Sequence, residues 1–543
     1  MINLVGNNNF YVKNENKWWI LVSILISFFI LLPILSVFLK NFFQDGENTF
    51  DYIWNTLVLE YSLSTIYLIF LTSFISLILG IFPAWYISLY KFPLRNFYDI
   101  VLFLPLAIPS YIMSFTYSDI LSFTGPIQSF LRNELPYIYP FFNKDYLQIE
   151  ILSILLGFAL SPYVYSVSRI SFSLIGTAYF NLSRNLGLSS FKIFYKVILP
   201  LSRPAILSGL FLVIMEVLNE YGAVKYFGVN TFTTGIFKAW FSFGDVKTSI
   251  QLASILLVIV FILLRIEKNS TKKTKFHYKI NTKSNSLIDL DKRKFFTAHT
   301  ICIFPFLFGF VVPFSHILNN SIMAIKTINI LHLFELTLNS ILISFISAFL
   351  IVLLATFFQY CERLTRSKVT GAINSLISLG YAVPGAVVGL GIIILFTSIN
   401  YYFDSVYLIG TLFTLVYALV IRFLAVGKSP IKSSLEKHPK SYDETGKILG
   451  LNPLGLFSKV FFPINISAMI IAFIITFVDL MKELPITLIL RPFNFDTLAT
   501  QTYELAIEEM LVKSSVYSLV IILIGASMLI ILKKIIYKNN YVS

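Results

Sequence analysis

A duplicated segment constrains the fold of this chain more than any other feature. The first copy begins at Arg184 and ends at Pro200, RNLGLSSFKIFYKVILP, and the second copy, KILGLNPLGLFSKVFFP, ends at Pro463. Gly187 and Gly450 lie 263 positions apart, and each precedes its closing proline by thirteen residues. Because an internal repeat decides the architecture before any local pattern, we predict two similar halves, each with a basic segment between apolar segments.

The composition requires a membrane. Hydrophobic residues make up 57% of the chain and charged residues 13%, with a mean hydropathy of +0.78. A soluble protein of 543 residues would need far more polar surface, so we predict an all-α integral membrane protein. The net charge of +14 does not indicate nucleic acid as a partner, since the basic residues cluster in alternate loops. The cysteines, Cys302 and Cys361, offer neither a disulfide framework nor a metal-ligand spacing.

Apolar runs of about 20 residues predict membrane-spanning helices. There are twelve such runs, at residues 18–39, 62–86, 99–121, 149–168, 204–217, 248–264, 297–318, 333–360, 371–396, 404–425, 461–480 and 513–532. They divide the chain into a first half over residues 1–264 and a second half over 295–543. Residues 265–294, rich in lysine and arginine, form the predicted cytoplasmic linker between them.

Prolines interrupt the third and ninth predicted spans. Pro109 and Pro384 occupy matched positions 275 apart, and a proline inside a span breaks or kinks its helix. The offset falls to 263 by Arg184, so the first half carries about twelve extra residues, for which the loop 122–148 is the natural place. Pro384 also forms a small-residue cluster with Gly385, Gly389 and Gly391, which tight helix packing explains better than a translocation path does.

The basic residues also predict the orientation. Twelve spans put both termini on one side of the membrane, and the basic clusters of the N-terminus, the alternate loops and the linker share that side. By the positive-inside rule this side is the cytoplasm. Both copies of the repeated segment are therefore predicted to be cytoplasmic.

Each copy reads as a short surface helix, a glycine turn and a basic stretch that leads to a proline. Such a helix could lie on the membrane or dock into the groove of a partner, and its duplication favours docking onto a twofold partner. The chain has no G-x-x-x-x-G-K-[ST], H-E-x-x-H or G-x-S-x-G motif, so ATP-driven transport would need a separate ATPase chain.

Four acidic residues form two matched pairs near the predicted outer ends of spans five and eleven. They are Glu216 and Glu220 in the first half and Asp479 and Glu483 in the second, and Tyr221 follows Glu220. Ionisable groups there are costly unless they face water or a partner, so they could line an outer gate and offer oxygen ligands to a passing cation. Capping of helix ends, with Lys482 paired beside Glu483, is the alternative, and tight metal coordination is disfavoured because a passing ion must leave.

The repeated segment resembles the EAA loop of permease subunits of bacterial ABC importers. In the second copy Glu444-Thr445-Gly446 stands in place of the Glu-Ala-Ala of that motif, while Asn181-Leu182-Ser183 stands there in the first. The stretches EVLNEYGAVKYFGVNTFTTGIFKAWFSFGD and DLMKELPITLILRPFNFDTLATQTYEL, together with PLAIPSY and GYAVPGA, are similar to the fused two-half permeases of ferric-iron importers.

The resemblance implies the type I importer fold and a division of labour among the residues. Six residues would couple the chain to its ATPase, namely Arg184, Gly187, Pro200, Glu444, Gly450 and Pro463. Seven would line the path or gate, namely Glu216, Glu220, Tyr221, Asp479, Glu483, Pro109 and Pro384. The expected protein partners are a homodimeric ATPase, which uses the ATP, and a periplasmic ferric-iron-binding protein. The chain itself would bind no cofactor and no resident metal, would not be an enzyme, and would lie among the lipids of the bacterial inner membrane.

Two alternatives remain at this stage. Related fused permeases carry thiamine, phosphonates or other small solutes. A twelve-span secondary transporter driven by an ion gradient would need no ATPase. A membrane enzyme is disfavoured, since no His, Asp or Cys constellation is clustered in the sequence.

Overall fold

The structure, a computed structural model, describes residues 5–40, 50–272, 287–291, 294–402 and 408–542. The helices up to residue 272 are α1 (Val5–Lys40), α2 (Phe50–Thr56), α3 (Val58–Leu89), α4 (Arg95–Val101), α5 (Ser110–Leu121), α6 (Pro126–Glu134), α7 (Tyr139–Phe142), α8 (Ile149–Asn185), α9 (Ser190–Ile193), α10 (Leu199–Asn219), α11 (Gly222–Tyr226), α12 (Phe232–Phe237) and α13 (Val246–Lys272). The later helices are α14 (Phe295–Phe306), α15 (Val312–Ala324), α16 (Ile330–Thr365), α17 (Lys368–Ile377), α18 (Gly385–Tyr402), α19 (Leu412–Lys437), α20 (Ser441–Ile448), α21 (Pro453–Leu456), α22 (Phe462–Met481), α23 (Pro485–Leu490), α24 (Leu498–Ile507) and α25 (Leu511–Val542).

Among the described residues, ten helices are long and apolar enough to cross a membrane, or twelve if each of two bent pairs counts as one span. Each of the twelve predicted spans overlaps one of them, although residues 404–407 of the tenth lie outside the described residues. The bent pairs are the third and ninth spans, with bends of 89° and 108°. Pro109 and Pro384 stand at these breaks, as predicted, because proline cannot donate the hydrogen bond that would continue the helix.

The structure divides into two compact units. One contains residues 1–46, 335–497 and 528–543, and the other contains residues 47–334 and 498–527. In the first unit α1 packs against α17 and α18, and α19 packs against α22. In the second, α3 and α8 form the main helix pair, with α10 and α14 packed against α3.

These units follow packing and differ from the halves predicted from the repeat. The helix α1 precedes the first repeat in sequence but packs in the unit that contains the second. Residues 265–272 of the predicted linker extend α13, and β2 (Ile288–Asp289) pairs in parallel with β1 (Tyr90–Lys91). Residues 273–286 and 292–293 of the linker lie outside the described residues, so the predicted domain boundaries remain predictions.

Candidate functional site

The two copies of the repeated segment have the same backbone elements at the same 263-residue offset. In the first copy, the end of α8 is set off by a kink at Gly176, whose φ and ψ are 67° and −178°. In the second, Pro439 stands at the matched position, between the end of α19 and the start of α20. A glycine with positive φ and a proline both interrupt helical hydrogen bonding, so each half obtains a short, separately oriented helix here.

A left-handed glycine ends each of these short helices. Gly187 has φ of 81° and Gly450 has φ of 79°. The amide of Leu188 donates to the carbonyl of Ser183, and that of Leu451 donates to the carbonyl of Gly446, both at 3.1 Å. This is the Schellman arrangement, which favours glycine because a Cβ is strained at positive φ. The predicted helix stop at Gly450 is therefore confirmed.

The chain beyond each glycine also repeats. A four-residue helix, α9 or α21, leads into a π-helical turn, Phe194–Ile198 in the first copy and Phe457–Phe461 in the second. Pro200 and Pro463 follow in the first turn of α10 and α22. Because proline has no N–H group and its ring crowds the preceding turn, a wider π-helical turn lets the helix continue past it. The helices of spans five and eleven therefore begin before these prolines rather than after them.

In both segments a phenylalanine of the π-helical turn contacts an aromatic side chain at the end of a long helix. The ring centroid of Phe194 lies 4.8 Å from that of Trp85 on α3. At the matched positions, the ring of Phe457 lies 5.2 Å from that of Tyr360 on α16. The Tyr360 hydroxyl also donates to the carbonyl of Pro453. These contacts join the two segments to the ends of the long helices α3 and α16.

The short helices themselves are held by different chemistry in the two copies. In the first, Phe180 is buried with its ring 6.0 Å from Tyr90 and 6.2 Å from Trp85. At the matched position of the second copy is Asp443, whose Oδ2 accepts from Nε of Arg363 at 2.5 Å. Sequence reasoning missed this ion pair, because the two residues are 80 positions apart and lie in different elements.

Large apolar side chains project from both segments into solvent. In the first copy Leu182, Leu186 and Phe191 are 60%, 76% and 74% exposed. In the second Ile448 and Leu449 are 85% and 75% exposed. The predicted coupling residues are exposed beside them, namely Arg184, Gly187, Pro200, Glu444, Gly450 and Pro463. Exposed apolar groups rimmed by polar residues mark surfaces for a partner or a membrane.

Glu220 and Glu483 cap helices inside their own units. The amide of Ala223 donates to Oε1 of Glu220 at 3.0 Å, and the amide of Ile486 donates to Oε1 of Glu483 at 2.9 Å. Both residues are less than 9% exposed. The helix-capping alternative is thus observed for both carboxylates, since each binds N–H groups at the start of the following short helix. Their predicted gate role remains a prediction.

The partners of the two carboxylates differ beyond the cap. Glu220 also accepts from the Ser110 hydroxyl, which directly follows the break at Pro109. Glu483 accepts from both the amide and the hydroxyl of Thr487 and lies 3.4 Å from Nη1 of Arg422. Arg422 lies inside the predicted tenth span with its side chain 3% exposed. Nothing in the local pattern of that apolar run indicated its partner.

The remaining gate candidates make local contacts. Asp479 pairs with Nζ of Lys482 at 2.8 Å, so the expected pairing of Lys482 with Glu483 is corrected. The cause is helical geometry, since Lys482 follows Asp479 by three residues on the same face. The ring of Tyr221 stacks on Phe237 at 3.7 Å, and burial raises the pKa of its hydroxyl, which keeps the phenol protonated. Glu216 is half-buried.

The small residues after Pro384 serve close packing in the first unit. A Cβ built on Gly391 would lie 2.2 Å from the carbonyl oxygen of Pro33 in α1. One built on Gly389 would lie 3.1 Å from the side chain of Ile489. The packing explanation of this cluster is therefore supported by contacts, as is usual for small residues at helix interfaces in membranes.

No metal centre is formed by side chains in the described ranges, where no group of three or more His, Cys, Asp or Glu residues could hold an ion. The candidate site is instead a pair of matched, exposed loops on matched helices, with buried carboxylates that cap short helices elsewhere in each unit. Together with the spans, these features define a polytopic membrane protein built from a repeat.

Comparison with known proteins shows which permeases the chain resembles. Residues 76–275 match the family described as "Binding-protein-dependent transport system inner membrane component". The Fe(3+)-transport system permease protein FbpB 2 of Haemophilus influenzae is 26% identical over 529 residues, which are 96% of this chain and 99% of that relative. The sulfate transport system permease protein CysT of Salmonella typhimurium is 24% identical over 37% of this chain and 70% of its own length. The molybdate/tungstate transport system permease protein WtpB of Methanocaldococcus jannaschii is 26% identical over 45% of this chain and 92% of its own.

Residues 76–275 therefore match the permeases of binding-protein-dependent transport systems, and the chain is similar to one such permease over nearly its whole length. The predicted all-α membrane fold and the resemblance to fused two-half permeases are confirmed. Its relatives are transport permeases rather than enzymes, as expected. The permeases of this family work with an ATPase and a solute-binding protein.

Proposed function

We propose that this chain passes ferric iron from a periplasmic binding protein to the cytoplasm, with both permease halves in one polypeptide. The observation that carries the choice of iron is the likeness to the Fe(3+) permease, which extends over 96% of this chain and 99% of that relative. The sulfate and molybdate relatives cover less than half of the chain. If both halves form the translocation path, a relative that aligns with both halves indicates the solute better than relatives that align with one.

A homodimeric ATPase binds the two exposed loops on the cytoplasmic side. The twofold symmetry of such a partner offers two equivalent grooves, and the matched backbones around Gly187 and Gly450 suit them. Leu186 and Ile448 supply apolar contact area, while Arg184 and Glu444 supply polar contacts at its edge. ATP is bound and hydrolysed in that partner, and this chain carries no nucleotide.

Transport proceeds by alternating access. When ATP closes the ATPase dimer, the loops are drawn together, and the contacts of Phe194 with Trp85 and of Phe457 with Tyr360 carry the displacement to α3 and α16. The spans then open to the outside and receive iron from the binding protein. Release of the hydrolysis products returns them to the inward-facing state.

The acidic residues at the outer end of α10 bias the path toward cations, with Glu216 and Glu220 as the charged groups and Tyr221 beside Glu220. Asp479 and Glu483 line the path at the matched positions, where Lys482 and Arg422 balance their charge. Because Glu220 and Glu483 are held by helix amides, neither offers a complete coordination shell to a passing ion. The breaks at Pro109 and Pro384 give each half a hinge beside this region.

The proposed location is the bacterial inner membrane, with both termini in the cytoplasm. The positive-inside distribution of lysine and arginine supports this orientation. Cysteine labelling from either side tests it, since a cysteine at Leu182 must react only with a reagent that has entered the cytoplasm.

Reconstitution is the decisive experiment for function. Proteoliposomes containing the chain, its ATPase and its binding protein should accumulate radiolabelled ferric iron when ATP is enclosed with the ATPase. A Glu444→Arg variant should lose both transport and ATPase association, while Glu436→Arg, an exposed acid in α19, serves as the matched control. Transport that persists without the ATPase, or that collapses with an uncoupler while ATP remains, would establish a secondary transporter instead.

An oxyanion permease is the second candidate. The sulfate and molybdate relatives favour it, and so does Arg422, a buried cation whose Nε has no hydrogen-bond partner among the described residues. The same proteoliposomes distinguish the two, because competition by unlabelled sulfate or molybdate should leave iron uptake unchanged. Uptake of labelled sulfate or molybdate in place of iron would decide for the second candidate.

A further inference from the structure

The connection between α5 and α8 is an insertion peculiar to the first half. The helices α5 and α18 begin at matched positions 275 apart, whereas α8 and α19 begin 263 apart. The extra residues therefore lie in segment 122–148, as the sequence predicted. Two short helices fill this segment, α6 and α7, and α6 packs against both α5 and α7.

The polarity of α6 is the reverse of that expected for a helix on a soluble surface. Gln128 is 3% exposed and faces the protein, while Ile127 and Phe130 on the other side are 44% and 58% exposed. Nε2 of Gln128 donates to the carbonyl of Leu121 at 2.9 Å. A helix in water buries its apolar face, so this arrangement fits a helix whose outer side meets an apolar medium.

Aromatic side chains extend this apolar surface over the rest of the insertion. Phe123, Tyr137 and Phe141 are 59%, 93% and 76% exposed. The Arg132 guanidinium lies 4.3 Å from the ring centroid of Phe123 and 5.9 Å from that of Tyr139. Exposed aromatic rings with a cation among them are typical of the boundary between lipid headgroups and acyl chains.

The attachment of the insertion supports lipid as its partner. It leaves α5 at Leu121 and ends at Ile149, where the span of α8 begins, so this end of the insertion lies at the end of a span. Its charged residues balance, with Arg132 and Lys144 against Glu134 and Asp145. Electrostatic attraction helps to steer a protein partner onto its binding surface, and a surface without net charge provides little of it. Such a surface is also not repelled by phospholipid headgroups.

We propose that segment 122–148 lies in the membrane interface, with Ile127, Phe130 and Phe141 inserted among phospholipid acyl chains. The last turn of α6, with the exposed Asn133 and Glu134, then points back toward water. By binding lipid, the insertion would fix the C-terminal end of α5 relative to the bilayer. Because Ser110 is the first residue of that helix, its position would be fixed as well. This inference needs only the membrane location of the chain and not the identity of its solute.

Spin-label accessibility tests the proposal in the full chain. Cysteines replace Ile127, Phe130 and Phe141 one at a time, with Asn133→Cys, in the last turn of α6, as the matched control. The native Cys302 and Cys361 are buried, and the unsubstituted chain measures any labelling of them. The chain is reconstituted in nanodiscs of phosphatidylethanolamine and phosphatidylglycerol, and collisions of the label with oxygen and with a water-soluble nickel chelate are compared.

Oxygen concentrates in lipid, whereas the nickel chelate stays in water. At the three apolar positions the collision rate of the spin label with oxygen should therefore be several-fold higher than with the nickel chelate, and at Asn133 the order should reverse. Nickel access at Ile127, Phe130 and Phe141 equal to that at Asn133 would overturn the proposal. Protection from nickel that appears only after the binding protein is added would also overturn it, and would identify the insertion as a protein-docking surface.

Discussion

Nε of Arg363 lies 2.5 Å from Oδ2 of Asp443, and this ion pair ties the second loop helix α20 to the end of α16. The same guanidinium donates to the carbonyls of Leu435 and Pro439, both at 3.1 Å. One side chain therefore fixes the end of α19, the turn after it and α20 together. The first loop has Phe180 at the position of Asp443, so an aromatic contact replaces the ion pair there.

Arg363→Ala should detach the second loop from its helix. The pair is largely buried, with side-chain exposures of 11% and 7%, and removing one partner of such a pair costs about 3 kcal/mol. We expect the assembled complex to keep ATP hydrolysis but to lose its dependence on the loaded binding protein, because the loop no longer moves with α16. ATPase assays with and without binding protein measure this loss of coupling.

Arg366→Ala is the matched control for that variant. Arg366 pairs with Glu444 at 2.8 Å, but both side chains are about half exposed, so this pair contributes less than about 1 kcal/mol to stability. An exchange of charge, Arg363→Asp with Asp443→Arg, should recover part of the coupling lost in the single variants. Equal defects in Arg363→Ala and Arg366→Ala would show that the buried pair has no special part in transmission.

The loops also show how far the sequence alone could lead. Gly450 predicted the helix stop correctly, since the backbone conformation that favours glycine is a local property, whereas the helix of span eleven begins before Pro463. The pairs Arg363–Asp443 and Arg422–Glu483 were not predictable, because each joins residues at least 60 positions apart and depends on tertiary packing. For the same reason, hydropathy predicted the span of α1 but not the unit in which it packs.

Gly450 should tolerate asparagine better than alanine. No atom lies within 4 Å of a Cβ built on it, so a substitution meets backbone strain rather than a clash. Its φ of 79° costs alanine about 1 kcal/mol, whereas asparagine visits this region more readily. Thermal unfolding in detergent should rank Gly450→Asn above Gly450→Ala, and Gly187 should show the same order. The reverse order at both positions would contradict the left-handed helix stop.

Glu483→Gln should destabilise the chain more than Arg422→Met. The first change leaves a buried guanidinium without its anionic partner, at a cost of about 3 kcal/mol. The second leaves a carboxylate that still accepts from Ile486 and Thr487. The midpoint of thermal unfolding measures both, and the double variant should be more stable than Glu483→Gln alone. A double variant no better than Glu483→Gln would mean that the carboxylate acts through the helix amides only.

Gly391→Ala should disrupt the first unit, while Gly389→Ala should be tolerated. At Gly391 the new Cβ would meet the backbone oxygen of Pro33 at 2.2 Å, and a helix backbone cannot yield without moving α1 away from α18. At Gly389 the nearest atoms belong to the side chain of Ile489 at 3.1 Å, and a flexible side chain can shift. Overpacking of this kind costs about 1–3 kcal/mol, so the yield of folded protein and the unfolding midpoint should fall at position 391 alone. Equal tolerance at both positions would mean that α1 does not pack against α18 through this glycine.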